Sequence, residues 1–222
     1  MFIKGSFFAA RRDHLIREFG DFAWLRLENQ LRAESSLFRG PIQSSTLVPF
    51  DDYVRFQEAW LERFYAGDER EYWKMGATLG RWALERGPYR HLLASSGESG
   101  SYGPAAERRR LTRILGRLWR VYSDAGELDV GGADGTFEVE ILDVPRWHRS
   151  IEYTAMGFAQ TAIETATGRK VQVLRLRGAA EGHVGCRYRF ELGELLLDDG
   201  AVELREHADS DAVTRPARIL PR

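Results

Sequence analysis

The chain has 222 residues, of which 43% are hydrophobic, and its formal net charge is -1. This length suffices for one large domain or two small ones, with an apolar core that needs no disulfide or metal. A charge near zero argues against non-specific binding to nucleic acid or to an anionic membrane, because both depend on a basic excess.

The cysteine content and the N-terminus indicate the compartment. Cys186 is the single cysteine, so an intramolecular disulfide is excluded and a reducing environment is favoured. The apolar run from Phe7 to Ala10 stops at Arg11, too early for the apolar core of a secretory signal. No uninterrupted apolar stretch reaches about 18 residues, so no membrane span is predicted. We therefore expect a cytoplasmic protein.

The first third of the chain is predicted to be mainly helical. Phe2 to Gly5 is a short strand or a lead-in segment, and apolar spacing predicts helices over Phe7–Phe19 and Phe22–Leu31. Asp51 or Asp52 suits the N-cap of a third helix, because its carboxylate can accept the free amide protons of the first turn.

A fourth helix is predicted from about Glu69 to Glu85, and it contains Gly76 and Gly80 one turn apart. Each glycine costs about 1 kcal/mol of helix propensity relative to alanine, so the pair needs a reason. Close packing against a neighbouring element is favoured, and room for a ligand is the alternative.

The Ser/Gly-rich stretch from Ala94 to Ala105 predicts a mobile loop or an ordered crossing, and it lacks the lysine of a phosphate-binding loop. Pro104 then suits the first turn of a long helix that ends at Tyr122. Its apolar stripe comprises Leu111, Ile114, Leu115, Leu118 and Trp119. Six arginines cover its other faces, which we interpret as a solvated surface, with an anionic partner as the alternative. They are Arg108, Arg109, Arg110, Arg113, Arg117 and Arg120.

The C-terminal half is predicted to form a small sheet covered by a helix. Strands are expected at Glu127–Val130 and Thr136–Leu142, followed by a helix rich in small residues that starts near Ile151 and ends at Gly168. Val171–Arg177 then pairs with a second strand across a Gly-rich turn. In that second strand Cys186, Tyr188, Phe190 and Leu192 alternate with charged residues and should face the core.

The end of the chain adds little to this core. Leu195 to Leu197 and Val202 to Leu204 are predicted edge strands, and the chain turns polar from His207. We therefore expect a single α+β domain over residues 1–206, with a helical part at about 1–123, a sheet–helix part at about 124–206, and a polar tail at 207–222.

This order of elements resembles the superfamily of haem-nitric-oxide/oxygen-binding sensors and 4-vinyl reductase-like small-molecule-binding domains. More narrowly it is similar to a protein family abundant in myxobacteria, and more distantly to small subunits of vesicle-tethering trafficking complexes. The resemblance spans about Phe2 to Leu192 and is carried by Val48 to Tyr53, Leu118 to Leu128 and Gly182 to Phe190. It implies an α+β fold in which a helical N-terminal layer packs on a small antiparallel sheet with a covering helix.

The chain departs from these relatives where they hold metals. Haem sensors of this fold use a histidine from the helix before the two-stranded meander and a Tyr-x-Ser-x-Arg run for the propionates. The helix from Leu111 to Tyr122 has no histidine, and that run is absent. His183 and Cys186 form the one local pair of metal-competent residues, and the second cysteine that 4-vinyl reductase-like relatives often carry is missing. We predict no cofactor and no metal, and a buried packing role for Cys186.

The aromatic content suggests a binding cavity. Six Trp, eight Tyr and twelve Phe are more than a helical shell needs, although a well-filled core is the simpler interpretation. The candidate cavity residues are Trp60, Phe64, Tyr72, Trp73, Trp82, Trp119, Tyr122 and Phe158. His148, near the start of the central helix, is a further candidate, although a surface position is commoner for such a histidine.

No catalytic constellation is recognisable, so the chain is predicted to be non-enzymatic. We expect a sensory or regulatory module that binds a small apolar or aromatic ligand, a protein partner, or both, with Ala94 to Gly103 as a candidate lid. The alternative is a structural homodimer or scaffold subunit with a filled core, like the trafficking relatives. A haem-based gas sensor is the least favoured hypothesis.

Overall fold

The N-terminal half of the chain is helical, as predicted. A computed structural model describes residues 1–85, 90, 104–133, 135–178, 185–195 and 204–205. The first elements are β1 (Phe2–Lys4), α1 (Gly5–Phe19), α2 (Asp21–Glu34), a 3-10 turn (Ser36–Arg39), β2 (Leu47–Pro49), α3 (Phe50–Tyr65) and α4 (Arg70–Glu85). The short strands β1 and β2 pair antiparallel and bring the start of α1 beside the start of α3.

A sheet with a covering helix follows in the C-terminal half. Its elements are α5 (Pro104–Tyr122), β3 (Glu127–Gly131), β4 (Thr136–Leu142), α6 (Arg149–Thr167), β5 (Arg169–Arg177), β6 (Cys186–Leu195) and β7 (Leu204–Arg205). The strand order is β3-β4-β6-β5-β7, antiparallel except for the parallel pair of β5 with β7. This arrangement confirms the predicted α+β class.

The predicted alternation along β6 is confirmed. Cys186, Tyr188 and Phe190 are fully buried, while Leu192 at the end of the inward row is only partly buried. Gly168 ends α6 in the left-handed conformation, with φ at 65°, which glycine adopts without a Cβ clash.

The predicted N-cap of α3 is wrong. The helix begins at Phe50, and extended Pro49 occupies the capping position, because β2 runs directly into the helix. Asp51 and Asp52 lie in the first turn instead, where a carboxylate is still favourable at the positive end of the helix. Asp52 accepts a hydrogen bond from Arg55 at 2.7 Å.

The helices α4 and α6 approach each other through glycine. A Cβ atom on Gly76 would lie 2.2 Å from the carbonyl oxygen of Thr154, and one on Gly157 would lie 2.2 Å from that of Trp73. On Gly80 it would lie 3.3 Å from the ring of Phe158. Close packing, the favoured explanation of the glycine pair, is therefore confirmed.

Two hydrophobic clusters make up the core. One joins the sheet to α4, α5 and α6, and the other fills the space among α1, α2, α3 and the start of α4. Four arginines of α5, at 109, 113, 117 and 120, are exposed, in agreement with a solvated face. No described helix is long and apolar enough to cross a membrane.

Several predictions fall on parts of the chain outside the described residues. These are the candidate lid from Ala94 to Gly103, the turn that contains His183, most of the predicted edge strands, and the tail from His207. Of the edge strands, only Leu204–Arg205 is described as strand beyond the end of β6.

Candidate ligand-binding cavity

An apolar cavity of about 90 Å³ lies where α1, α4, α5 and α6 meet. Its walls are mainly hydrocarbon, and the residues with hydroxyl groups in its lining are Tyr53, Ser123 and Thr154. The complete lining is Ile3, Phe7, Ala10, Tyr53, Leu79, Trp82, Leu115, Leu118, Trp119, Ser123, Leu128, Ile151, Thr154, Ala155 and Phe158. A cavity of this composition offers dispersion contacts to an apolar molecule.

The structure brings three of the predicted aromatic residues to this cavity. Trp119 and Phe158 are buried in its wall, and Trp82 lines it while 48% of its surface stays exposed. The side chain of Tyr122, a fourth candidate, lies outside the described part of the molecule. A ligand-binding role for these residues stays a prediction.

Three other candidates belong to the second hydrophobic cluster. Trp60 packs edge-on against Tyr72, with ring centres 5.4 Å apart, and its indole N–H donates to Gln57 at 3.0 Å. Phe64 stacks on Phe19 at 4.5 Å. Trp60, Phe64 and Tyr72 therefore fill the space among the N-terminal helices and do not line the cavity.

Trp73 lies on the opposite side of α4, in a groove of about 660 Å³. Its indole N–H donates to Gln160 at 2.7 Å, and its ring lies 5.7 Å from that of Tyr188. The groove also contains three arginines, and each is paired with a carboxylate. The pairs are Arg70 with Asp68, Arg149 with Glu69, and Arg175 with Glu152. Their charges are therefore already compensated within the protein.

His148 begins α6 and does not line the cavity. Its side chain accepts a hydrogen bond from the backbone N–H of Ser150 at 3.2 Å, which makes it the N-cap. Burial lowers the pKa of His148, and the nearby carboxylate of Glu58 opposes that shift only in part. The Ser150 hydroxyl, in turn, donates to the hydroxyl of Tyr53 at 3.2 Å.

Arg11 is a feature that the sequence-based prediction missed. Its side chain is fully buried, and its guanidinium carbon lies 4.8 Å from the ring centres of both Phe7 and Trp60. It donates to the side chains of Gln57 and, at 3.3 Å, Thr154. Arg11 lies three residues after Phe8 and four before Leu15, so helical spacing alone places it on the apolar face of α1.

The cavity does not fit haem. The resemblance to haem sensors implies an iron ligand on α5, but the residues of α5 that line the cavity are Leu115, Leu118 and Trp119. None of them can coordinate iron, whose usual protein ligands are histidine, cysteine, methionine and tyrosine. A volume of about 90 Å³ is also far too small for a porphyrin.

The described residues contain no group of three or more potential metal ligands among histidine, cysteine, aspartate and glutamate. Cys186 is buried in β6, and burial raises the pKa of its thiol well above the ordinary value. Its predicted packing role is therefore confirmed.

No protein-family model matches the chain, and a search of curated proteins finds no match. Solved structures of similar fold do exist. An Fe(II) unliganded H-NOX protein from K. algicida is 13% identical with a TM-score of 0.63, covering 88% of this chain and 100% of its own. An H-NOX protein from S. oneidensis in the Fe(II)NO state is 13% identical with a TM-score of 0.62, covering 86% and 99%. The resemblance to the haem-nitric-oxide-binding superfamily is therefore confirmed as a likeness of fold.

Proposed function

We propose that this chain, which has the fold of the H-NOX proteins, is a non-enzymatic sensory module. It binds a small apolar molecule directly in the cavity between α1, α4, α5 and α6, without haem. The observation that carries the proposal is the hydrocarbon-lined space itself, which the helices leave open inside an otherwise well-packed core. The likeness to an H-NOX protein in an Fe(II)NO state supports a sensory role.

The size of the cavity limits the ligand. Drug-sized molecules occupy pockets of roughly 300 Å³ or more, and an apolar cavity of about 150 Å³ holds benzene or xenon. A resting volume of about 90 Å³ therefore suits a group of roughly three to four non-hydrogen atoms. A small aromatic ligand, which the sequence suggested beside an apolar one, does not fit without expansion of the cavity.

A filled-core scaffold, the alternative hypothesis, is less well supported. A purely structural subunit gains stability from each cavity that it fills, because empty space forfeits dispersion contacts. An open space between four helices is therefore more in keeping with ligand binding. Binding of a protein partner stays a prediction.

Xenon binding tests the proposal, because xenon enters dry apolar cavities without needing a polar group. We expect saturable broadening and shift of the 129Xe resonance in the presence of the wild-type protein. Ala155→Leu should abolish it, because the larger side chain fills the cavity from α6.

Ala166→Leu is the matched control, since Ala166 lies on the same helix and does not line the cavity. It should keep xenon binding. Absence of binding by the folded wild-type protein, or equal binding by Ala155→Leu, contradicts the proposal.

A further inference from the structure

A buried cation lies directly behind the wall of the cavity. The guanidinium of Arg11 has no exposed surface, and among the described residues no carboxylate is within ion-pair distance of it. An isolated charge in the interior is strongly unfavourable unless an opposite charge or a full set of hydrogen bonds accompanies it. Arg11 therefore lacks the counter-charge that the arginines of the groove possess.

The hydrogen bonds around Arg11 are also incomplete. Its Nε–H group and the Nε2 amide group of Gln57 are buried donors that find no acceptor in the described structure. Gln57 uses its oxygen to accept from both Arg11 and Trp60. We refer to Arg11, Gln57 and Thr154 as the Arg11 cluster. It presents a positive charge and unused donors, which is the complement of an anion.

The neighbouring tyrosines do not supply the missing charge. Burial raises the pKa of Tyr53 and that of Tyr72, so both hydroxyl groups are neutral at physiological pH. For Arg11 burial acts in the opposite direction and lowers the pKa to about 10, so the guanidinium is still charged at neutral pH.

The Arg11 cluster and the cavity share a wall. Thr154 lines the cavity, and its hydroxyl accepts the hydrogen bond from Arg11 at 3.3 Å. Phe7 also lines the cavity, and its ring lies against the guanidinium. The positive charge is thus one hydrogen bond away from the apolar space, in an interior where electrostatic attraction is only weakly screened.

We infer that the ligand of this cavity is a short-chain carboxylate, whose hydrocarbon part fills the cavity while its carboxylate lies at the Arg11 cluster. This inference rests on the proposed function and specifies its ligand class. The alkyl groups of propionate, butyrate and isobutyrate, with two or three carbon atoms, are small enough for the cavity, and each molecule carries a single negative charge. Their alkyl groups would contact Leu115 and Phe158, and the carboxylate would accept from the unpartnered donors of Arg11 and Gln57.

The test compares isobutyrate with isobutyramide, which has nearly the same shape and no charge. Binding to the wild-type protein is measured by calorimetry and by ligand-observed NMR at constant ionic strength. We expect isobutyrate to bind at least tenfold more tightly than the amide, the scale of hydrogen bonds to a charged group.

Arg11→Met should bring the two affinities within about twofold of each other, because methionine fills similar space without a charge. Ala155→Leu keeps Arg11 and should lose isobutyrate binding, which covers the case in which Arg11→Met does not fold. Ala166→Leu should bind both molecules like the wild-type protein.

The xenon measurement separates the two proposals. Xenon binding together with equal or undetectable binding of isobutyrate and isobutyramide overturns the carboxylate assignment and leaves the apolar cavity as the site of a neutral ligand. If Ala155→Leu still binds isobutyrate, the ligand lies outside the cavity, and the carboxylate assignment is also overturned. Absence of both xenon and isobutyrate binding contradicts both proposals.

Discussion

Glu152 connects α6 to two strands of the sheet and to the segment that precedes the helix. Its fully buried carboxylate accepts from Arg175 at 2.9 Å, from the Tyr188 hydroxyl at 2.6 Å and from the Trp147 indole at 3.3 Å. These donors come from β5, from β6 and from the segment before α6. A buried carboxylate is tolerated only when it is paired in this way, so its loss should affect the whole domain.

Glu152→Gln is expected to destabilise the protein by about 3–5 kcal/mol, because the amide removes the charge opposite Arg175 and turns a donor toward other donors. Urea unfolding followed by circular dichroism measures the change. Glu127→Gln, at an exposed position on β3, is the control and should stay within about 0.5 kcal/mol of wild type. A loss below about 1 kcal/mol for Glu152→Gln would show that this carboxylate is not a structural centre.

His148 makes stability depend on pH. Because burial holds its pKa below the unfolded value near 6.5, the unfolded chain takes up the proton first as the pH falls. The unfolding free energy should therefore decrease from pH 7 to pH 5. His148→Asn keeps an N-cap acceptor and removes the titration, so its decrease should be smaller.

Unfolding curves at several pH values test this prediction. Burial also lowers the pKa of His14, so the unfolding free energy of His148→Asn should still decrease somewhat at low pH. Adding His14→Asn should remove this remaining decrease. If the unfolding free energy of His148→Asn changes with pH as steeply as that of the wild-type protein, the prediction is contradicted, because the pKa of His148 is then the same in the folded and unfolded states.

At the scale of elements, the contact between α4 and α6 is set by glycine. Gly76 and Gly157 each allow the backbone of one helix to touch the other, and no larger residue fits there. The loss of helix propensity at these glycines is offset by the close packing that they permit.

Gly157→Ala is expected to destabilise the protein by about 1–3 kcal/mol, since the new methyl group would overlap the carbonyl of Trp73 and force the helices apart. Gly116→Ala is the matched control on α5, where a Cβ would lie 3.7 Å from its nearest neighbour. It should be neutral or stabilising by about 0.5–1 kcal/mol. Equal effects of the two substitutions in thermal unfolding would rule out a special role for the α4–α6 contact.

The elements were more predictable than the site. Periodicity placed α5 at Pro104–Tyr122 and β4 at Thr136–Leu142, because each carries an uninterrupted pattern of period 3.6 or 2. Aromatic content did not locate the cavity, since Trp60 and Tyr72 pack equally well in the second cluster. Arg11 could have been assigned to the buried face of α1 by spacing, but nothing in the sequence shows that it lacks an acidic partner.

At the scale of the whole molecule, the chain has the fold of H-NOX proteins, and its cavity does not fit haem. Leu115, Leu118 and Trp119 form the part of the cavity wall that belongs to α5, the helix on which the resemblance to haem sensors would imply a histidine ligand. Because these side chains cannot coordinate iron, we predict that the protein has no affinity for iron porphyrin.

Purified protein, also after incubation with excess hemin and removal of the unbound fraction, should show no stoichiometric Soret absorption. A haem-binding H-NOX protein treated in parallel serves as the positive control. A Soret band at one haem per chain would contradict the proposed haem-free function.

The backbone contact between α4 and α6 also determines how the molecule can respond when a ligand binds in the cavity. Two helices in direct main-chain contact have little mechanical compliance, so a ligand that exceeds the resting space must displace α1 or α5. Ile3, just before α1, forms a β-bridge with Ser123, just after α5, and this link couples the two movable walls. Strain from a bound molecule would therefore spread along β1 and the start of β3, where amide hydrogen exchange can follow it.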